Sequence, residues 1–170
     1  MSTYKISPLP DDSRVTATDK YFIKKAYEIA RKASETNSPY GALLVHEGKI
    51  IATYGNKVKD TGDITMHAET ALLSHASKEF GAKILSNSTL YTSTEPCIMC
   101  SGAIYWAKIP KIVYGTTELQ ARLLFDPDAK KRLISSREAF NTLRPNVEII
   151  GPVSEDEGLL IHEVFSLKNK

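Results

Sequence analysis

Between positions 18 and 37 the apolar residues Ile23, Ala26, Tyr27, Ala30 and Ala33 recur at intervals of three or four. That spacing predicts an amphipathic helix, stopped by Asn37, Ser38 and Pro39. The period then changes. The stretch "GALLVHEGKIIATYGN" reads as two strands joined at Glu47-Gly48-Lys49, a hairpin with glycine where a positive backbone angle is wanted. "KDTGDIT" follows as a polar loop, residues 66–80 as a helix, and "STLYTS" as a short strand rich in β-branched and aromatic side chains. Residues 97–107 predict another helix and "KIVYG" another strand. A helix over 130–143 is closed by Arg144-Pro145, because the residue before proline avoids helical angles. "VEIIG" is the last strand, and 157–167 a helix with Leu160, Ile161, Val164 and Phe165 on one face. Residues 1–17, polar and carrying Pro8, Pro10, Asp11 and Asp12, read as an irregular lead-in; 116–129 show no clear period.

Helices and strands alternating after an opening hairpin predict an α/β protein with a mixed sheet flanked by helices. A chain of 170 residues suits one domain, here 18–170 after the lead-in, with no internal repeat or linker. With 42% hydrophobic and 25% charged residues the composition is that of a globular protein, not of a disordered chain. No apolar run approaches the length of about 20 residues needed to span a bilayer, and the N-terminus lacks the pattern of a signal peptide. The expectation is a cytoplasmic protein, a nuclear share being compatible with it, and no membrane partner. A net charge of +2 gives no argument for nucleic acid.

Both cysteines of the chain lie in "TSTEPCIMC", at 97 and 100. Under reducing conditions a disulfide closing so short a loop contributes little, which leaves metal binding, redox exchange or packing. In a helix opening near Cys97, positions i and i+3 share one face, so both sulfurs reach one ion. The helix start also favours thiolate. Two thiolates point first to zinc. Of the histidines at 46, 67, 75 and 162, His67 opens a predicted helix and is followed by Glu69. His75 lies eight residues, about 12 Å of helix, further along and is too distant to share the ion with His67. Three protein ligands leave a position for water, and a nearby carboxylate supplies general acid-base chemistry. A redox dithiol and a zinc site in a binding module are the competing readings.

"His67-Ala68-Glu69" followed by "Pro96-Cys97-Ile98-Met99-Cys100" resembles the H-x-E…P-C-x-x-C signature of the cytidine deaminase superfamily. "PYGALLV", the "GN" at 55–56 and "SGAIYWAKIPKIVYG" are similar to it as well, so the resemblance covers about residues 20–116. It implies a three-layer α/β/α sandwich with a mixed five-stranded sheet, Zn2+ held by His67, Cys97 and Cys100, and Glu69 as proton shuttle. It also implies hydrolytic attack on an amino-bearing ring carbon with release of ammonia, Asn56 holding the ring, and the backbone of 93–95 near the departing amine. "YTSTEPCIMCSGAIYWA", with Trp106, and "LFDPD" look most like bacterial guanine deaminases. This implies guanine as substrate, Trp106 at the substrate, and a second carboxylate for which Glu118 and Asp126 compete. The segment "NVEIIGPVSEDEGLLIHEVF" departs from those enzymes and leaves cytosine, or another base or nucleoside, open. A tRNA adenosine deaminase ranks lower, since Glu155, Asp156, Glu157 and Glu163 oppose only Lys168 and Lys170 in the last 17 residues. The family further implies a homodimer.

Overall fold

The computed structural model describes residues 8–131 and 133–168; the first seven residues of the predicted lead-in, position 132 and the last two residues lie outside that set. Helix α1 spans Ala17–Ala33, opened by a reciprocal capping box in which Thr16 and Asp19 satisfy each other's backbone amides. The hairpin strands β1 (Gly41–His46) and β2 (Lys49–Gly55) follow, turning through Glu47 and Gly48, both at positive φ. Within the predicted polar loop a short helix, α2 (Val58–Thr61), forms instead, closed by Gly62 at φ 70°. Asn37 builds it from afar, its Oδ1 accepting from the amides of Lys59 and Asp60. That side chain lies 22 and 23 positions away, beyond any local pattern.

Helix α3 (Ala68–Leu85) is interrupted at Gly81, which takes φ 74°. After it come β3 (Ser88–Thr94), α4 (Ile98–Ala107), β4 (Lys111–Thr116) and α5 (Glu118–Leu123). The stretch without a clear period therefore holds a helix. Among the described residues, only Ala129–Lys131, as one 3-10 turn, and α6 (Ser136–Leu143) occupy the predicted helix over 130–143, because Ser135 and Glu138 cap a new helix start within it. Strand β5 (Glu148–Ile150) and α7 (Glu155–Lys168) complete the chain. The predicted apolar face of α7 is corrected: Leu160 and Val164 are exposed, while Gly158, Leu159, Ile161 and His162 are buried.

The five strands pair in the order β2-β1-β3-β4-β5, antiparallel across β2-β1-β3 and parallel across β3-β4-β5. Side chains alternate between two cores, as a pleat requires. Ala42, Leu44, Leu90, Ile112 and Tyr114 pack with α3, α4 and α6 through Leu72, Ile104 and Phe140. Leu43, Val45, Tyr91 and Val113 pack with α1 and α7 through Phe22, Ile23 and Ile161. The result is the expected α/β/α sandwich around a mixed five-stranded sheet. Helix α1 lies so close to the start of β1 that a Cβ on Gly41 would stand 2.6 Å from the Ala26 carbonyl oxygen. No helix among the described residues is long and apolar enough to cross a membrane.

This topology brings several chain segments to one edge. The carboxyl ends of β3 and β4, the start of β1 and the N-termini of α3, α4 and α5 all meet there, the usual place for a crevice in an open α/β sheet.

Candidate active site

His67 and Cys97 occupy equivalent places, each the N-cap of its helix in an extended conformation (ψ 156° and 172°), and neither side chain caps its own helix. Cys100 is the third residue of α4, so the two sulfurs take the positions at which N-cap and N3 side chains normally meet in a capping box. Cys97 thus precedes the helix that the spacing places it in, with the same convergence of sulfurs. His67 Nδ1 lies 3.6 Å from Cys97 Sγ and 3.7 Å from Cys100 Sγ. The donor atoms of all three residues fall within 4.8 Å of one another. With Zn–S about 2.3 Å and Zn–N about 2.0–2.1 Å at tetrahedral angles, sulfur and nitrogen would stand about 3.6 Å apart, so the geometry and the donor set both fit zinc.

The electrostatics agree with a cation site. Hydrogen bonds from Cys100 and His67 pull the Cys97 thiol down to about 4 against the cost of burial. Cys100 moves the other way, pushed up by the neighbouring Cys97 sulfur, by burial and by Glu69. His67 is raised, chiefly through its contact with Cys97. Two neighbouring sulfurs cannot both ionise cheaply without a positive partner.

Glu69, the second residue of α3 and buried, lies beside this group with Oε2 3.5 Å from Cys100 Sγ. Thr92 donates to its Oε1 at 2.9 Å, fixing the carboxylate from the end of β3. Burial raises its carboxyl to about 7.

His67, Glu69 and Cys97 border a cleft of about 330 Å³ that also includes Tyr40, Asn56, Glu95, Glu118, Arg122 and Asp126. Asn56 is both a turn residue and part of the wall: its Oδ1 accepts from Val58 N at 3.1 Å, and it is 4% exposed. Glu118 and Asp126, the rival second carboxylates, both reach the cleft. Glu118 is the more enclosed, at 5% exposure, and bonds Arg122 Nε at 2.5 Å. Burial outweighs that guanidinium and holds its carboxyl above the usual range. Of the 93–95 segment, Ser93 Oγ is spent on accepting the Gly41 amide at 3.0 Å, while Glu95 lines the cleft.

Trp106 is a correction. It stands 81% exposed at the far end of α4, lining a separate cavity with Tyr105, Lys108, Leu143 and Arg144. From the helix start at the cleft, eight residues of α4 carry it about 12 Å away. Arg122, Tyr40 and the Glu95 side chain escaped sequence reasoning. Only Glu95 carried a signal, as a carboxylate next to the Pro96-Cys97 pair. His46, His75 and His162 stay outside the triad: His46 bonds the Asn87 carbonyl, His75 pairs with Glu79, and His162 meets Thr94.

The sequence model of the cytidine and deoxycytidylate deaminase zinc-binding region matches residues 16–116. A "probable cytosine deaminase" of Schizosaccharomyces pombe is 33% identical over 157 residues, covering 90% of this chain and 95% of that protein. The guanine deaminase of Bacillus subtilis is 43% identical over 99 residues, covering 57% of this chain and 63% of its own length. Among solved structures, a deaminase from a study of A-to-I editing at the wobble position of tRNA superposes with a TM-score of 0.69 at 30% identity, covering 83% of this chain and 98% of that one. The convergent His-Cys-Cys group falls inside the matched region, and the fold is that of the neighbours. The chain therefore belongs to the zinc-dependent cytidine and deoxycytidylate deaminase family, hydrolases that act on carbon–nitrogen bonds.

Proposed function

We propose that this enzyme deaminates a free nucleobase, with guanine, converted to xanthine and ammonia, as its first ring. The observation that carries the reading is the placement of the buried Glu69 carboxylate against the His67-Cys97-Cys100 group at the floor of the cleft. Zinc held by those three residues supplies Lewis acidity that brings the acidity of water towards neutrality. Glu69 accepts one proton of the attacking water and delivers it to the ring nitrogen, then takes the second from the new hydroxyl and delivers it to the leaving amine. The ring carbon gains a C–O bond, the exocyclic C–N bond breaks, and nitrogen leaves as ammonia. Thr92 keeps Glu69 aimed, since its hydroxyl holds the oxygen that faces away from the sulfurs.

Opposite this floor, Glu118 accepts a ring N–H and Arg122 offers a donor to an adjacent carbonyl, a pairing that guanine presents along one edge. The cleft has room for a bicyclic base. Its wall carries Glu118 and Asp126 beside Arg122, an arrangement that offers no basic face to a phosphate backbone and supports a small uncharged substrate over RNA. Cytosine is the second reading, favoured because the S. pombe relative aligns over nearly the whole chain whereas the guanine relative aligns over 57% of it.

The test is ammonia release by the zinc-loaded protein across guanine, guanosine, cytosine, cytidine, adenine and adenosine. Guanine is expected to give the highest kcat/KM. Cytosine above guanine would move the assignment to the second ring, and release from none would defeat the nucleobase reading.

A further inference from the structure

Glu95 lines the cleft, yet the residue is 5% exposed and its carboxylate is turned to the protein. Oε1 accepts from the Ser136 amide at 2.9 Å and from Ser136 Oγ at 2.7 Å; Oε2 accepts from the Glu118 amide at 3.3 Å. Ser136 and Glu118 are the first residues of α6 and α5, so one side chain satisfies the opening amide of two helices, groups that helix geometry leaves without partners. The backbone amide of Glu95 donates to Thr116 O at 2.7 Å, tying its own main chain to the end of β4. Two residues on stands Cys97.

A second buried carboxylate grips the same turn from the other side. Glu155, 1% exposed, accepts from the Thr117 amide at 2.8 Å and from Thr117 Oγ1 at 2.7 Å. The start of α5 is thereby held at two successive residues by side chains from elsewhere in the chain. A six-residue helix is too short to stand by itself in water, so its place depends on such holds. What α5 carries into the cleft is Glu118 and, one turn on, Arg122.

We propose that Glu95 is a positioning residue: by clamping the first residues of α5 and α6 to the strand end that leads into Cys97, it fixes the Glu118-Arg122 wall relative to Glu69 and so sets substrate affinity. Both of its oxygens are committed to the helices, so it acts through Glu118 and not on the substrate. This rests on the deaminase reading.

The experiment is a double-mutant cycle on the zinc-loaded full chain: parent, Glu95→Gln, Glu118→Ala and the double variant. Zinc content is checked, and kcat and KM are measured for ammonia release from the best base. Glutamine keeps the shape but offers one acceptor oxygen, so it holds only one helix. Glu95→Gln is expected to raise KM on the order of 10-fold with kcat within about 3-fold of the parent. In the Glu118→Ala background the same change should move KM by less than about 2-fold, since residues acting as one unit are not additive. A parent-like KM in Glu95→Gln, or an equal rise in both backgrounds, would overturn the proposal. Should Glu95→Gln fail to fold, Glu95→Asp, which keeps the charge but draws the carboxylate back from both helix starts, enters the same cycle with the same expected and contrary results. A parent that releases no ammonia from any base would defeat the nucleobase reading, and this role with it; an active parent separates the two failures.

Discussion

The floor and the outer wall of the cleft are held in place by different means. On the floor, His67 and Glu69 lie two positions apart, and Cys97 and Cys100 three apart. Within each pair, one turn at a helix start does the positioning. On the wall, Glu118 and Arg122 ride on a six-residue helix whose opening turn is held by Glu95, 23 residues earlier, and Glu155, 38 residues later. The metal-binding group is thus written locally, while the wall proposed to meet the ring is assembled from distant parts. On the proposed function, substitutions at the wall are expected to change the ring without disturbing the chemistry.

Ligand removal should separate the two regions most strongly. Cys97→Ser is expected to lose zinc to a weak chelator that leaves the parent loaded, with ammonia release at background. Zinc retained at parental affinity would remove Cys97 from the floor. A smaller effect concerns His162, which lies behind the site, with Nε2 3.0 Å from Thr94 Oγ1 and Nδ1 buried without a partner among the described residues. Burial pushes it down to about 4. Its ordinary value is about 6.5, so as pH falls through that value the unfolded chain takes a proton that the folded protein refuses. Its contribution is therefore complete above about 6.5 and declines towards pH 4, by about 3 kcal/mol in all at about 1.36 kcal/mol per unit. Urea unfolding of the parent and of His162→Gln at several pH values checks this. The parent should lose more stability than the variant between pH 6.5 and 4, and equal losses would refute it. The smallest effect is expected at Trp106, outside both regions. Trp106→Ala should change stability by no more than about 0.5 kcal/mol and leave KM unaltered in a steady-state assay.

The same division explains what could be read from the chain. Strand alternation, the hairpin at Glu47-Gly48 and the spacings at 67–69 and 97–100 are short-range signals, and they lead directly to the sheet and the metal-binding group. Helix α2 was hidden because its second and third amides are satisfied by Asn37, and α5 because Glu95 and Glu155 support it from across the fold. Leu160 and Val164 on α7 belong to an apolar pattern that the packing does not use. Glycine at 158 faces the sheet there, where a Cβ would collide with Thr116 and Tyr27. Trp106 misleads in the same manner, being an aromatic in a motif-bearing helix that points away from the cleft.

The most direct test of the account is paired: zinc per chain and ammonia release, measured on the same preparation of parent and Glu69→Gln. Three metal ligands remain in the variant and only the proton-carrying oxygen is replaced. One zinc per chain in both proteins, with kcat lowered on the order of 10³-fold in Glu69→Gln, is the predicted result. Parental turnover in a fully zinc-loaded Glu69→Gln would contradict it.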